Sequence, residues 1–102
     1  MATLDERKLR GAWATPAWLV ERVLDVALDP LTARDRRHQR LRVLDPACGD
    51  GRFLAAAGRR ADLRLEGVEV DAGAAAAARA ALGERATIRE GDALDLLAAA
   101  VA

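Results

Sequence analysis

At 102 residues the chain is at most one domain, and a small one. Its 52% hydrophobic content is enough for a core, but much of it is alanine, which buries little area, and the aromatics are only Trp13, Trp18 and Phe53. Sixteen basic and sixteen acidic residues cancel, so the chain has no electrostatic footprint for gripping nucleic acid, and the single cysteine, Cys48, excludes a disulfide framework and a cysteine-based zinc site.

The chain opens on a polar stretch, with Asp5, Glu6, Arg7, Lys8 and Arg10 where a signal peptide would carry its apolar region. No apolar run reaches membrane-spanning length, so no membrane partner is expected and the cytoplasm is the expected location. Residues 1–15 are set apart as a polar N-terminal segment and 16–102 as the domain. Thr15 reads as a helix N-cap and Pro16 as the first helical residue. Beyond them Trp18, Leu19, Val23, Val26 and Ala27 recur at helical spacing, with Leu24 and Leu28 widening the stripe. Asp29-Pro30 is expected to end this helix, because proline restricts the residue before it. Residues 31–40 then form a connection with the one basic cluster, Arg34, Arg36, Arg37, His38 and Arg40. Such a run is ordinarily a solvated loop; a phosphate-contacting arm is the alternative. His38, the sole histidine, has no evident partner and is assigned no role.

The centre of the chain is Leu41 to Leu54. An apolar run ends in Asp45, a turn rich in Pro and Gly follows, and a helical pattern runs from Gly51 to about Arg60. Strand, tight loop and helix in that order build nucleotide sites at the carboxyl ends of open α/β sheets. Gly49 and Gly51 let backbone approach a ligand closely, and the free N–H groups of the new helix point at whatever lies over the loop. A dinucleotide loop reads G-x-G-x-x-G, yet Leu54 holds the third glycine position. A phosphate loop needs G-K-[ST], which is absent. A carboxylate ahead of the glycines repels pyrophosphate and suits a cationic ligand group. S-adenosyl-L-methionine, with an ammonium, a sulfonium and no phosphate, fits that charge better.

A second strand is expected within Asp62–Val70, ending Gly67-Val68-Glu69-Val70-Asp71. Glu69 lies about twenty positions past the glycine loop, where a carboxylate accepts hydrogen bonds from ribose hydroxyls. That role serves NAD and S-adenosylmethionine alike. Asp71 reads as the N-cap of an alanine helix, Ala72–Leu82, that Gly83 stops. Ala86–Arg89 is a short third strand, Gly91-Asp92-Ala93-Leu94 a turn or helix cap, and Leu94–Val101 a last helix.

Asp45-Pro46-Ala47-Cys48-Gly49-Asp50-Gly51-Arg52-Phe53-Leu54 resembles the D-P-A-C-G-S-G-x-F-L signature of the N6-adenine DNA methyltransferases of restriction-modification systems, with Asp50 in place of Ser. The resemblance extends over about residues 7–96. Gly11 to Pro16 is similar to the family's G-x-x-x-T-P element, although Ala14 stands where an aromatic usually precedes the threonine. Gly91-Asp92-Ala93-Leu94 is similar to its G-D-x-L segment. The resemblance implies a cofactor set of Thr15 at the methionine part, Asp45, Pro46, Ala47, Cys48, Gly49 and Gly51 at the loop, Glu69 at the ribose, and Asp92 with Ala93 at the adenine.

The family's catalytic [D/N/S]-P-P-[Y/F/W] element has no counterpart: the sequence has no Asn, Ser, Tyr or Pro-Pro, so no catalytic residue is assigned. The resemblance thus implies a partial Rossmann-like class I methyltransferase fold, α/β, with an N-terminal helix and a parallel three-stranded sheet of order 3-2-1 with flanking helices. The first strand would lie at an edge open to a complementing protein segment. The leading expectation is a truncated, S-adenosylmethionine-binding N-terminal part of a DNA adenine N6-methyltransferase, inactive alone and meeting DNA through a missing C-terminal part. A stand-alone non-catalytic cofactor-binding or interaction module is the alternative, and a dinucleotide-binding oxidoreductase fragment the third.

Overall fold

The computed structural model describes residues 15–34 and 40–101. The polar segment before Thr15 and the Arg36, Arg37 and His38 part of the basic cluster lie outside the described residues. The order is α1 (Ala17–Val23), a π-helical stretch (Leu24–Leu28), α2 (Asp29–Arg34), β1 (Leu41–Asp45), α3 (Arg52–Arg60), β2 (Leu63–Glu69), α4 (Ala72–Leu82), a 3₁₀ turn (Gly83–Arg85), β3 (Ala86–Glu90) and α5 (Ala93–Val101).

The strands form one parallel sheet of order β1-β2-β3, so β1 is an edge. Leu41 pairs with Leu63, Val43 with Leu65, and Asp45 with Gly67; Leu65 pairs with Ala86, and Glu69 with Glu90. Strand residues alternate between faces. One face carries Leu41, Val43, Leu63, Leu65, Ala86 and Ile88, which pack with Leu54, Ala56 and Ala57 of α3 and Ala75, Ala78 and Leu82 of α4 into a single core. The other face presents Arg42, Leu44, Arg64, Thr87 and Arg89 to solvent, and Arg42 forms a fork with both oxygens of Glu66 at 2.9 and 3.0 Å. Alanine on α4 is what lets the helix lie close to its neighbour. A Cβ added at Gly51 would stand 2.9 Å from Leu82 Cδ1 and 3.3 Å from Ala78 Cβ.

The N-terminal helix differs from its expected form in three ways. First, Pro16 rather than Thr15 is the N-cap, with φ −58° and ψ 143°, and no side chain caps the helix. Pro16 O instead accepts from the N–H groups of Leu19 and Val20 at 3.0 and 3.1 Å. Second, Pro30 does not end the helix, which runs on to Arg34. Proline has no N–H and its ring presses on the carbonyl four residues back. The chain absorbs this by widening one turn: Asp29 N–H reaches back five residues to Leu24 O, a π-type bond. Third, the buried stripe is Val20, Leu24 and Leu28. Trp18 is 71% exposed and Val26 62%, and Leu19, Val23 and Ala27 are exposed too. Of the expected stripe, Leu24 and Leu28 face the core, while Trp18, Leu19, Val23, Val26 and Ala27 lie on the outer flank.

Candidate functional site

The carboxyl ends of the three strands meet in one rim. β1 ends in Asp45, β2 in Glu69, β3 in Glu90, and Asp92 opens α5. The loop after β1 is held from several sides. Asp45 Oδ1 accepts from Ala47 N–H at 3.1 Å, closing a turn over Pro46. Cys48 N–H donates to Val68 O and Gly51 N–H to Cys48 O, both at 2.9 Å. Gly49 and Gly51 take positive φ, +56° and +89°, which only glycine adopts without strain. A Cβ on Gly49 would meet nothing within 4 Å, so the loop leaves open space over Gly49. Asp50 turns outward to Arg52, at 3.0 Å.

Glu69 joins two loops. Oε1 accepts from Gly49 N–H at 2.9 Å and Oε2 from Asp71 N–H at 2.7 Å. Each oxygen keeps a second lone pair for a ligand hydroxyl. Asp71 caps α4 through Ala74 N–H at 2.8 Å. Asp92 Oδ1 accepts from Leu94 N–H at 2.8 Å, so this carboxylate is a helix cap, exposed at the rim, with Ala93 as the first residue of α5.

Cys48 faces inward. Its thiol is buried and pushed up to about 11, first by burial and then by Asp45 and Glu69, so it is neutral and inert at physiological pH. It rests on Gly67. A Cβ there would lie 2.8 Å from Cys48 Sγ, 2.9 Å from Cys48 Cβ and 2.9 Å from Leu54 Cδ1. The room that a dinucleotide loop makes with a third glycine on the helix is made here by a glycine on the strand, and Leu54 fills the helix side. Sequence reading assigned Gly67 no role, because its reason is a residue nineteen positions earlier. Val70 and Leu94 were also missed. Both are large, apolar and mostly exposed, Val70 in the bend after β2 and Leu94 in the first turn of α5. Their signal was an apolar residue placed just beyond each strand-end carboxylate motif.

Burial raises the Asp45 carboxyl above its ordinary value, the Ala47 N–H opposes this, and Glu69 adds to it. The rim therefore holds a carboxylate that costs free energy to keep charged and that a cation would relieve.

The N-terminal helix reaches the same end of the molecule. Thr15, Ala17, Val20 and Glu21 line a cavity of about 240 Å³ with Arg52, Ala55, Ala56 and Arg59 of α3. Thr15, just ahead of α1, and Arg52, the first residue of α3, line the same cavity. Thr15, Asp45, Pro46, Ala47, Gly49, Gly51, Glu69, Asp92 and Ala93 thus all lie at the helix-start and strand-end side of the fold. Cys48 lies beneath it as a support.

No protein-family model and no curated protein sequence matches the chain. Solved structures do. The chain is similar to an RNA methyltransferase from Salinibacter ruber in complex with S-adenosyl-L-homocysteine, at 28% identity and TM-score 0.58, covering 81% of this chain and 52% of that one. It is also similar in fold to StiE O-MT residues 961–1257, at 23% identity and TM-score 0.58, covering 88% of this chain and 31% of that one. The architecture is part of a Rossmann-like class I methyltransferase fold. The chain spans about half the length of the first structure and a third of the second.

Proposed function

We propose that the chain is the S-adenosylmethionine-binding part of a methyltransferase, and specifically the N-terminal part of one acting on adenine N6 in DNA. The observation that carries the cofactor reading is the carboxylate-led glycine loop at the rim, with Asp45 half-buried and open space over Gly49. The groups fit S-adenosylmethionine. Asp45 offers a desolvated negative charge to the ammonium, Glu69 retains acceptor capacity for the ribose hydroxyls, and Asp92 accepts from the adenine amine. Val70 and Leu94 give apolar surface on which an adenine ring can lie. Thr15 closes the methionine end. The bound S-adenosylhomocysteine of the Salinibacter ruber enzyme supports the same reading.

S-adenosylmethionine supplies an electrophilic methyl group when bound. This chain's residues hold and orient it, and Glu69 keeps the loop after β1 in register with the turn after β2. The adenine acceptor rests on the Asp45–Leu54 signature. The acceptor side of the site, and any segment adding a strand at the β1 edge, belongs to a complementing segment with an Asn-Pro-Pro-aromatic element.

Isothermal titration tests the cofactor. S-adenosylhomocysteine should bind and NAD should not; NAD binding the tighter of the two overturns the reading. Tritiated-methyl transfer tests the acceptor. Label should appear on adenine of mixed-sequence duplex DNA only when the complementing segment is added. Label on RNA alone keeps the cofactor reading and removes DNA as the substrate.

A further inference from the structure

Far from the rim, Arg60 at the end of α3 binds three carboxylates at once. Nη2 donates to Glu21 Oε2 at 2.5 Å and to Glu21 O at 3.2 Å, and Nη1 donates to Asp25 Oδ1 at 2.7 Å and Asp29 Oδ2 at 2.8 Å. The guanidinium is only 20% exposed, although each acid is about half exposed. The acids stand four residues apart, one each on α1, the π stretch and α2. In a regular α-helix residues four apart drift steadily round the axis. The wider turn forced by Pro30 counters that drift and keeps Asp29 in line with Glu21 and Asp25. Proline, π turn and acidic ridge thus form one device that seats the helix on α3. On the seated helix Trp18 and Val26 face outward.

Arg60 lies eight residues beyond Arg52, about 12 Å along the helix, too far to touch a ligand over the glycine loop. Thr15 precedes the seated helix and, like Arg52 at the start of α3, lines the cavity between the two helices. We propose that Arg60 is a positioning residue for cofactor binding: by gripping Glu21, Asp25 and Asp29 it sets Thr15 against the methionine end of the site. This rests on the cofactor reading above. An exposed network of this kind weakens with salt. Cofactor affinity therefore inherits a salt dependence that originates far from the cofactor.

The test is titration of S-adenosylhomocysteine, with circular dichroism to confirm folding, into the parent, Thr15→Val, Arg60→Gln, Arg60→Lys and Thr15→Val/Arg60→Gln. Arg60→Gln should weaken binding about tenfold, and Arg60→Lys, which keeps charge but loses the fork, less. Thr15→Val should cost about fivefold in the parent and under about twofold in the Arg60→Gln background, since the threonine is already displaced there. Raising NaCl from about 0.05 to 0.5 M should weaken binding more in the parent than in Arg60→Gln, because the Asp45 contact with the ammonium is common to both. Arg60→Lys, the milder change, serves the same comparison if Arg60→Gln does not fold. A purely structural Arg60 would lower the melting temperature yet leave affinity and the Thr15 effect unchanged. Parent binding that is insensitive to both salt and Arg60→Gln, yet sensitive to Asp45→Ala, overturns the positioning role and leaves the cofactor reading standing. No binding by the parent removes both.

Discussion

The glycine loop and the N-terminal helix both lean on α3, but opposite kinds of contact hold them. Around the loop, small residues allow backbone and side chains to approach until no Cβ fits: Gly51 against Leu82 and Ala78, Gly67 against Cys48 and Leu54. The N-terminal helix has three buried side chains, Val20, Leu24 and Leu28, and a guanidinium gripping an acidic ridge. Close packing is insensitive to salt and intolerant of added volume; a charged clamp is the reverse. The glycine loop is thus built by packing, and the N-terminal helix is attached in part by charge.

The largest expected effect breaks the packed side. Gly51→Val should destabilise by about 2–6 kcal/mol, combining overpacking with a strained backbone at φ +89°. Gly49→Ala should cost only the strain, about 1–2 kcal/mol, because a Cβ there meets open space. Urea denaturation of the two variants separates the terms. Equal losses would mean that the contact with α4 contributes nothing.

Most of the packed side was legible in the sequence. The strands read as L-R-V-L-D, L-R-L-E-G-V-E and A-T-I-R-E, whose alternation sets their faces, and glycines punctuate the helices between them. The alanine helix matches its expected bounds, Ala72–Leu82, as do its Asp71 cap and the Gly83 stop. The N-terminal helix was legible only as a helix. Its ion pairs reach Arg60, thirty-one to thirty-nine positions away, and its length rests on a π turn that no local rule anticipates at Asp29-Pro30. Apolar spacing found Leu24 and Leu28 of the inner face, but also Trp18 and Val26, which are mostly exposed. Gly67 was illegible for the same reason as Arg60: the residue that gives it meaning is remote in sequence.

The next effect sharpens the comparison at the rim. Asp45→Ala should weaken S-adenosylhomocysteine binding by about 1–3 kcal/mol, the value of a lost charge-assisted hydrogen bond, with circular dichroism unchanged. The pH dependence identifies the group. Burial holds Asp45 above its ordinary value in the free protein, so on acidification it takes up a proton before an ordinary carboxylate would. An ammonium ligand needs the ionised form and pulls the value back down. Affinity should therefore be flat near neutrality and fall as pH drops through the raised value, releasing up to one proton on binding in that range. Asp45→Asn should bind weakly and lack this fall. Glu69→Ala should also weaken binding, but because Glu69 ties Gly49 to Asp71 it should loosen the loop as well, seen as faster amide exchange at Gly49.

The smallest expected effect concerns the outer flank of the N-terminal helix. Trp18 is the largest apolar side chain on that helix, and by spacing alone it belongs to the buried stripe. At 71% exposure it loses little water-accessible area on folding, so Trp18→Ser should change stability by no more than about 0.5 kcal/mol. Leu24, at 1% exposure, serves as the control: Leu24→Ala should cost about 2–5 kcal/mol through lost burial and the cavity left behind. If the helix were rolled toward its outer flank in solution, the Trp18→Ser effect would grow and the Leu24→Ala effect would shrink. Arg60→Gln offers the intermediate case. With the clamp removed, apolar burial is the main force left to orient the helix, and Trp18→Ser in that background should become measurably destabilising if the helix rolls. The comparison between the two sides of α3 then reduces to one reading, the Trp18→Ser effect with and without Arg60. A nonzero difference means that charge, not hydrophobic spacing, chooses which face of this helix is buried.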